Sequence, residues 1–197
     1  LELIRLEINQ GVTDIVLKPH IQSNATKASR ETHVMHFNKL NAIVKEMKLP
    51  INLHLGAEIN YKPYVDLDYQ TLMFGKGNYI LVEFSRRFKT NIEEVCYDLM
   101  HMGYQVIVAH IERYQYLSIN DIKKIKATGA LIQVNADAIL NLDRLASKKT
   151  VKQLIKLGLF DIISSDTHNF SRRPPRLLEA KNYLKKYLEE RQLNLVF

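Results

Sequence analysis

YILVEF at 79–84, NIEEVCYDLMHMG at 91–103 and QVIVAH at 105–110 follow one another without a gap in meaning. The first and third stretches are short, apolar and β-branched, as strands buried on both faces are. The middle stretch has helical periodicity. Thr90 or Asn91 can cap it, and Gly103 ends it. A strand, a helix and a second strand at this spacing predict a βαβ unit with parallel strands.

Outward from this unit the pattern repeats. Further apolar runs are DIVLKPH (14–20), INLHLGAE (51–58), ALIQVN (130–135) and FDIISSDTH (160–168). Helical stretches are expected over 27–48, 118–128, 146–157 and 176–191, with Gly129 and Gly158 placed between helix and strand. No repeat, linker or low-complexity segment divides the chain, so 1–197 reads as one α/β domain. The opening LELIRLEINQ reads as a charged amphipathic helix rather than a signal peptide. Because Leu1 is not Met and helical periodicity starts at once, a strand is expected to precede it. Six runs plus that strand would suit a TIM-like barrel of about seven.

Composition narrows the function classes. The chain has 28 Lys and Arg against 21 Asp and Glu, a formal net charge of +7. The lysines are dispersed, with no basic patch or nucleic-acid motif, so nucleic acid is not expected as a partner. No apolar run approaches the ~20 residues of a membrane span, so this is not read as an integral membrane protein. One Cys rules out a disulfide framework within the chain and suits a cytoplasmic location. Cys96 sits mid-helix without the phosphate-cradling loop that thiol phosphatases need, and no Walker A, GxSxG or dinucleotide motif is present.

The informative feature is where the polar residues fall. His20, Glu58, Glu83, His110, Asp166 and His168 stand at or just past the C-terminal ends of five apolar runs. In α/β barrels that rim carries the active site. One such residue alone reads as a cap or hydrogen-bonding group, but six metal-competent types from five runs read as a site. Glu58 and Glu83 each end an otherwise uncharged run, and a buried carboxylate is costly without a cation. Imidazoles and carboxylates together suit Zn, Mn or Fe, and paired ions activate water and clamp phosphoryl oxygens. Arg113, three residues after His110, and Arg172 and Arg173, shortly after His168, are candidate anion-binding groups. His33, His36, His54 and His101 read as structural or surface residues. The helix around His33 offers a contact surface should the chain oligomerise.

The pieces KPH (18–20), GAE (56–58), VEF (82–84), AHIERY (109–114) and SDTHNFSRRPP (165–175) resemble the PHP-domain (polymerase and histidinol phosphatase) superfamily. The resemblance is closest to its bacterial protein-tyrosine phosphatases, found with capsule and exopolysaccharide genes. It implies a distorted (β/α)7 barrel and two to three divalent ions, manganese foremost with Fe, Co or Zn as other choices. It further implies that His20, Glu58, Glu83, His110, Asp166 and His168 are ligands. Arg113 and Arg173 match the catalytic, phosphate-side arginines. Phosphotyrosine would be hydrolysed by a metal-activated hydroxide without a phosphoenzyme. The implied substrate is a phosphotyrosine-bearing protein, a tyrosine kinase of polysaccharide export. The pattern departs at three points. The opening HxH strand and a following acidic ligand have no match here, Ile111 replaces a common proline, and Lys18 stands where a small residue is usual. Lys18, two before His20, is expected to face the site and affect metal charge balance or substrate binding. Other readings are a histidinol-phosphate-like small-molecule phosphatase, or a non-catalytic regulator if the HxH motif is truly absent.

Overall fold

The computed structural model describes residues 1–21, 29–63, 65 and 67–189. Along them run the strands β1 (Asp14–Leu17), β2 (His20–Ile21), β3 (Asn52–Leu55), β4 (Glu58–Asn60), β5 (Tyr79–Glu83), β6 (Gln105–Val108), β7 (Leu131–Asn135) and β8 (Ile162–Ser164). The helices are α1 (Glu2–Asn9), α2 (Arg30–Glu46), α3 (Ile92–His101), α4 (Ile119–Ala127), α5 (Ala136–Ile139), α6 (Lys148–Leu157) and α7 (Leu177–Leu184). Strands β1, β3, β5, β6, β7 and β8 fall inside expected runs, while β2 and β4 begin at the last residue of the runs 14–20 and 51–58 and extend past them. The outer ends of two expected helices, at 27–28 and 190–191, lie outside the described residues.

Local chemistry sets the helix ends. Ser118 and Asp121 form a reciprocal capping box at α4: the Ser118 Oγ accepts from the Asp121 N–H, and the Asp121 carboxylate accepts from the Ser118 N–H. Ser29 and Ser147 cap α2 and α6 in the simpler way. At α3 the N-cap is Asn91, whose side chain donates to Glu94 instead of capping the backbone. Gly158 closes α6 in the left-handed region, at φ +61°.

Every strand pair is parallel, and spatial order follows chain order: β1 beside β3, then β2-β4-β5-β6-β7-β8. The sheet therefore winds in one direction, unlike a doubly wound sheet whose order reverses. The pairing does not record closure into a barrel. Among the described residues β8 pairs only with β7, and β1 only with β3. The runs 14–20 and 51–58 are each broken into two strands, a detail absent from their apolar pattern. The ladder continues across the breaks, because Gly56 N donates to Leu17 O and Glu58 N to Pro19 O. Gly56 is required there, since a Cβ would stand 2.9 Å from Val16 Cγ1 and 3.1 Å from Phe74 Cδ1.

Strand alternation sends successive side chains to opposite faces. Ile80, Val82, Val106, Val108, Ile132 and Val134 pack with Ile92, Cys96, Ile122, Leu154 and Leu184 of the helices as the main core. Leu81, Ile107 and Ala109 form a separate inner cluster with Leu131 and Ile162. Polar residues of the same parity, Glu83 with Leu81 and Gln133 and Asn135 with Leu131, thus share the inner face.

Candidate metal centre

Register delivers the first group of ligand-type residues. His20 pairs with Glu58, Glu58 with Leu81, and Asn60 with Glu83, so neighbouring strands bring these side chains together. His20, Glu58 and Glu83 each offer one ligand atom within 4.8 Å of the others. Nδ1 of His20 is 3.6 Å from a Glu83 oxygen. His110 completes the cluster, its Nε2 lying 3.1 Å from Glu58 Oε1 and 3.5 Å from Glu83 Oε1. It sits two residues past β6 in the left-handed region (φ +31°), unusual for a non-glycine. Its backbone N–H donates to the buried Gln133 side chain, which helps hold that conformation.

Asp166 and His168 form a second group beyond β8. Asp166 also takes a left-handed backbone (φ +45°) and is buried. Its Oδ2 accepts from Arg173 Nη1 at 2.8 Å and from Asn135 Nδ2 at 3.1 Å. Its Oδ1 accepts from Lys18 Nζ at 2.9 Å. Nδ1 of His168 lies 2.8 Å from the Asp166 carbonyl oxygen. Donation there leaves Nε2 as the lone-pair nitrogen, the tautomer a metal ligand needs. The two groups meet through Lys18, whose ammonium also bonds Glu58 Oε2.

Burial opposes charge on all three linked groups, and their mutual attraction wins. Glu58 lies well below the usual carboxylate range because the His110 and Lys18 contacts outweigh its desolvation. Asp166 is lowered despite its burial, chiefly by Lys18 and then Arg113. Lys18 is raised, its desolvation overcome by Glu58 and Asp166. The donor set fits a divalent cation. His20, Glu58 and Glu83 bring three ligand atoms together, His110 lies against both carboxylates, and buried His110 Nδ1 has no hydrogen-bond partner among the described residues. His20, Glu58, Glu83 and His110 would hold the ion.

The chain matches over residues 1–197 the family model described as capsular polysaccharide synthesis, CpsB/CapC. The chain belongs to the CpsB/CapC family. Among its relatives is the tyrosine-protein phosphatase YwqE of Bacillus subtilis, 26% identical over 196 residues, covering 94% of this chain and 76% of YwqE. A solved chain described under "Crystal structures of YwqE from Bacillus subtilis and CpsB from Streptococcus pneumoniae, unique metal-dependent tyrosine phosphatases" superposes with TM-score 0.85 at 24% identity. That match covers 98% of this chain and 81% of the other. The histidinol phosphate phosphatase of Lactococcus lactis, solved with zinc, L-histidinol and phosphate, superposes with TM-score 0.56 at 12% identity, covering 94% and 86%. Both structural likenesses are likenesses of fold.

In this CpsB/CapC chain the two arginines hold different positions. Arg113 is sealed between two acids, with Nε 2.8 Å from Asp143 and Nη2 3.5 Å from Asp166. Burial pulls its pKa down, but Asp143 first and Asp166 next raise it further. Arg173 is part-exposed and contacts Asp166 through Nη1. Arg172 is exposed, and its backbone N–H donates to the Asn169 side chain.

Several buried polar residues around the site were not singled out in the sequence. Gln133 and Asn135 bridge His110 to Asp166, and their alternation within an apolar run is a signal that could have found them. Glu112, fully buried, is pushed up to about 8 by desolvation. Glu7 of α1 accepts from Ser165 and Thr167 beside Asp166, and only its burial in the fold reveals it. The histidines read as structural lie elsewhere: His54 bonds Asp14, His101 stacks on Tyr97, and His33 and His36 ride on α2. Burial pushes the Cys96 thiol up to about 12, so it offers no thiolate nucleophile at neutral pH. Among the described residues no helix is long and apolar enough to cross a membrane.

Proposed function

We propose that this site hydrolyses phosphotyrosine in proteins with the help of bound divalent ions. The observation that carries the reading is the convergence of His20, Glu58, Glu83 and His110 on one inner face, in a chain related to the tyrosine-protein phosphatase YwqE. His20, Glu58, Glu83 and His110 would hold one ion, and Asp166 and His168 would contribute to another. Two to three ions fit the reading, with manganese preferred and Fe, Co or Zn accommodated by the same N/O donors. A distorted seven-stranded barrel is the architecture of this reading, and the all-parallel, one-directional strand order is consistent with it.

Bound ions would supply Lewis acidity for the phosphoryl oxygens and lower the pKa of water. The residues of the chain do the rest. Arg173 uses one nitrogen on Asp166, and the remainder of its guanidinium fork suits phosphoryl oxygens. Arg113, held between Asp143 and Asp166, fixes the Asp166 carboxylate and adds positive charge beside it. Lys18 keeps Glu58 and Asp166 ionised and at a set separation. A tyrosine phenolate, with conjugate-acid pKa near ~10, leaves with little protonation, so the site needs no strong general acid.

The substrate that fits the family is a cytoplasmic tyrosine kinase of polysaccharide export, phosphorylated on tyrosine. The deciding experiment follows hydrolysis of a phosphotyrosine peptide by manganese-loaded protein, before and after chelation. Activity that disappears with chelator and returns with manganese is expected. Rapid cleavage of histidinol phosphate with no cleavage of phosphotyrosine would replace this reading with the small-molecule one, and inactivity on both esters would favour a regulator.

A further inference from the structure

Glu58 begins β4 and Asp166 lies just past β8, far apart in the pairing order, yet both carboxylates are buried, at 3% and 4% side-chain exposure. Each is satisfied on one side by fixed groups. Glu58 Oε1 faces His110, while Asp166 Oδ2 accepts from Arg173 and Asn135. The remaining oxygens, Glu58 Oε2 and Asp166 Oδ1, are bonded by the same atom, Lys18 Nζ. A point shared by one oxygen from each of two buried carboxylates is where a bridging cation would sit. Here the ammonium already stands there.

An ammonium and a divalent ion exclude each other at such a point. Carboxylate oxygens approach a metal such as zinc at roughly 2.0–2.2 Å, inside the reach of the ammonium, and two cations that close repel steeply in a low-dielectric site. Lys18 is tethered and only 19% exposed, so the fold supplies this cation with the chain. It brings one positive charge, three donors and no vacant coordination position. It can therefore balance the carboxylates but cannot polarise a ligand.

We propose that Lys18 is a built-in cation that occupies the position shared by Glu58 and Asp166, so that the chain binds one divalent ion fewer than the same carboxylates and imidazoles bind without it. The inference rests on the metal-dependent reading of the site. His20, Glu83 and His110 keep their ion, because Lys18 contacts none of them in the structure.

The test counts metal rather than activity. The chain and its variants Lys18→Met, Lys18→Ala and Lys18→Arg are stripped with chelator, dialysed against manganese, and assayed for metal per folded chain by mass spectrometry. Lys18→Met and Lys18→Ala are expected to bind one more ion than wild type, and Lys18→Arg the same number. Manganese should also raise the melting temperature of Lys18→Met more than that of wild type, because it refills an emptied pocket of negative charge. Equal, non-zero counts in wild type and Lys18→Met would overturn the proposal while leaving the metal-dependent reading intact. No metal on any protein would overturn both. Should the neutral variants fail to fold, anomalous diffraction from manganese-soaked wild type decides. Density between Glu58 and Asp166 with Lys18 displaced would overturn the proposal, and density at His20, Glu83 and His110 with Lys18 still bridging Glu58 and Asp166 would support it.

Discussion

Nε2 of His110 lies 3.1 Å from Oε1 of Glu58, a contact spanning 52 residues of chain between two side chains at 2% and 3% exposure. A buried imidazole set against a buried carboxylate, with a second carboxylate at 3.5 Å, is poised to share a cation. His110→Ala removes one nitrogen donor. The expected result is a loss of phosphotyrosine hydrolysis of about 100-fold or more, the upper end seen even for outer-shell changes at metal sites. Manganese affinity should weaken with it in equilibrium dialysis. Unchanged activity and affinity would remove His110 from the centre.

Glu112 makes the stability of the chain depend on pH in an unusual direction. In the fold burial pushes its carboxyl from 4.5 up to about 8, whereas the unfolded chain ionises it near the ordinary value. Between these values the folded state holds the extra proton, so stability falls as pH rises through that window. Glu112→Gln stays neutral at every pH. It should therefore gain on wild type from pH 5 to pH 8 by on the order of a few kcal/mol. Denaturant titrations of both proteins in chelator at the two pH values provide the comparison, and parallel pH curves would refute it.

Much of this arrangement was legible in the residues. Short β-branched runs alternating with capped helices announced a parallel α/β sheet, and strand-end positions singled out His20, Glu58, Glu83 and His110, which the fold gathers. These features are local, written in period and in position along a run. What escaped depends on chain segments far apart. The breaks after Leu17 and Leu55 arise where Gly56 lies against Val16 and Phe74. The enclosure of Asp166 requires Lys18, from between β1 and β2, and Asn135 of β7 to meet Arg173 of its own loop. Nothing near Arg113 in sequence points to Asp143 as its partner, and nothing in α1 points Glu7 toward Ser165 and Thr167. The short helix α5 is also invisible to periodicity, being a single turn after β7.

Tyr114 anchors the end of β5. Its hydroxyl accepts the Phe84 backbone N–H at 2.9 Å in the buried interior, next to Glu83. Tyr114→Phe keeps the ring and leaves that N–H without its acceptor, a cost of about 1–3 kcal/mol. The melting temperature should fall accordingly. Because Phe84 follows Glu83 directly, manganese affinity should also drop modestly. A variant as stable as wild type would mean that another acceptor replaces the hydroxyl.

Arg113 and Arg173 both approach Asp166 Oδ2, at 3.5 Å and 2.8 Å, yet they should fail in different ways when removed. Arg113 is 8% exposed and wedged between Asp143 and Asp166, so its loss leaves the Asp143 carboxylate without its ion-pair partner and removes a cation beside Asp166. Arg113→Ala should destabilise the chain by about 3–5 kcal/mol, as breaking buried ion pairs does. Arg113→Lys should recover only part of this, since one ammonium cannot span both acids as the planar fork does. Arg173 is 35% exposed and leaves Asp166 with Lys18 and Asn135 when it goes. Arg173→Ala should therefore unfold at nearly the wild-type denaturant concentration while KM for a phosphotyrosine peptide rises about tenfold or more, the equivalent of one charge-assisted contact. The distinction fails if Arg173→Ala proves as unstable as Arg113→Ala, or if its KM does not move.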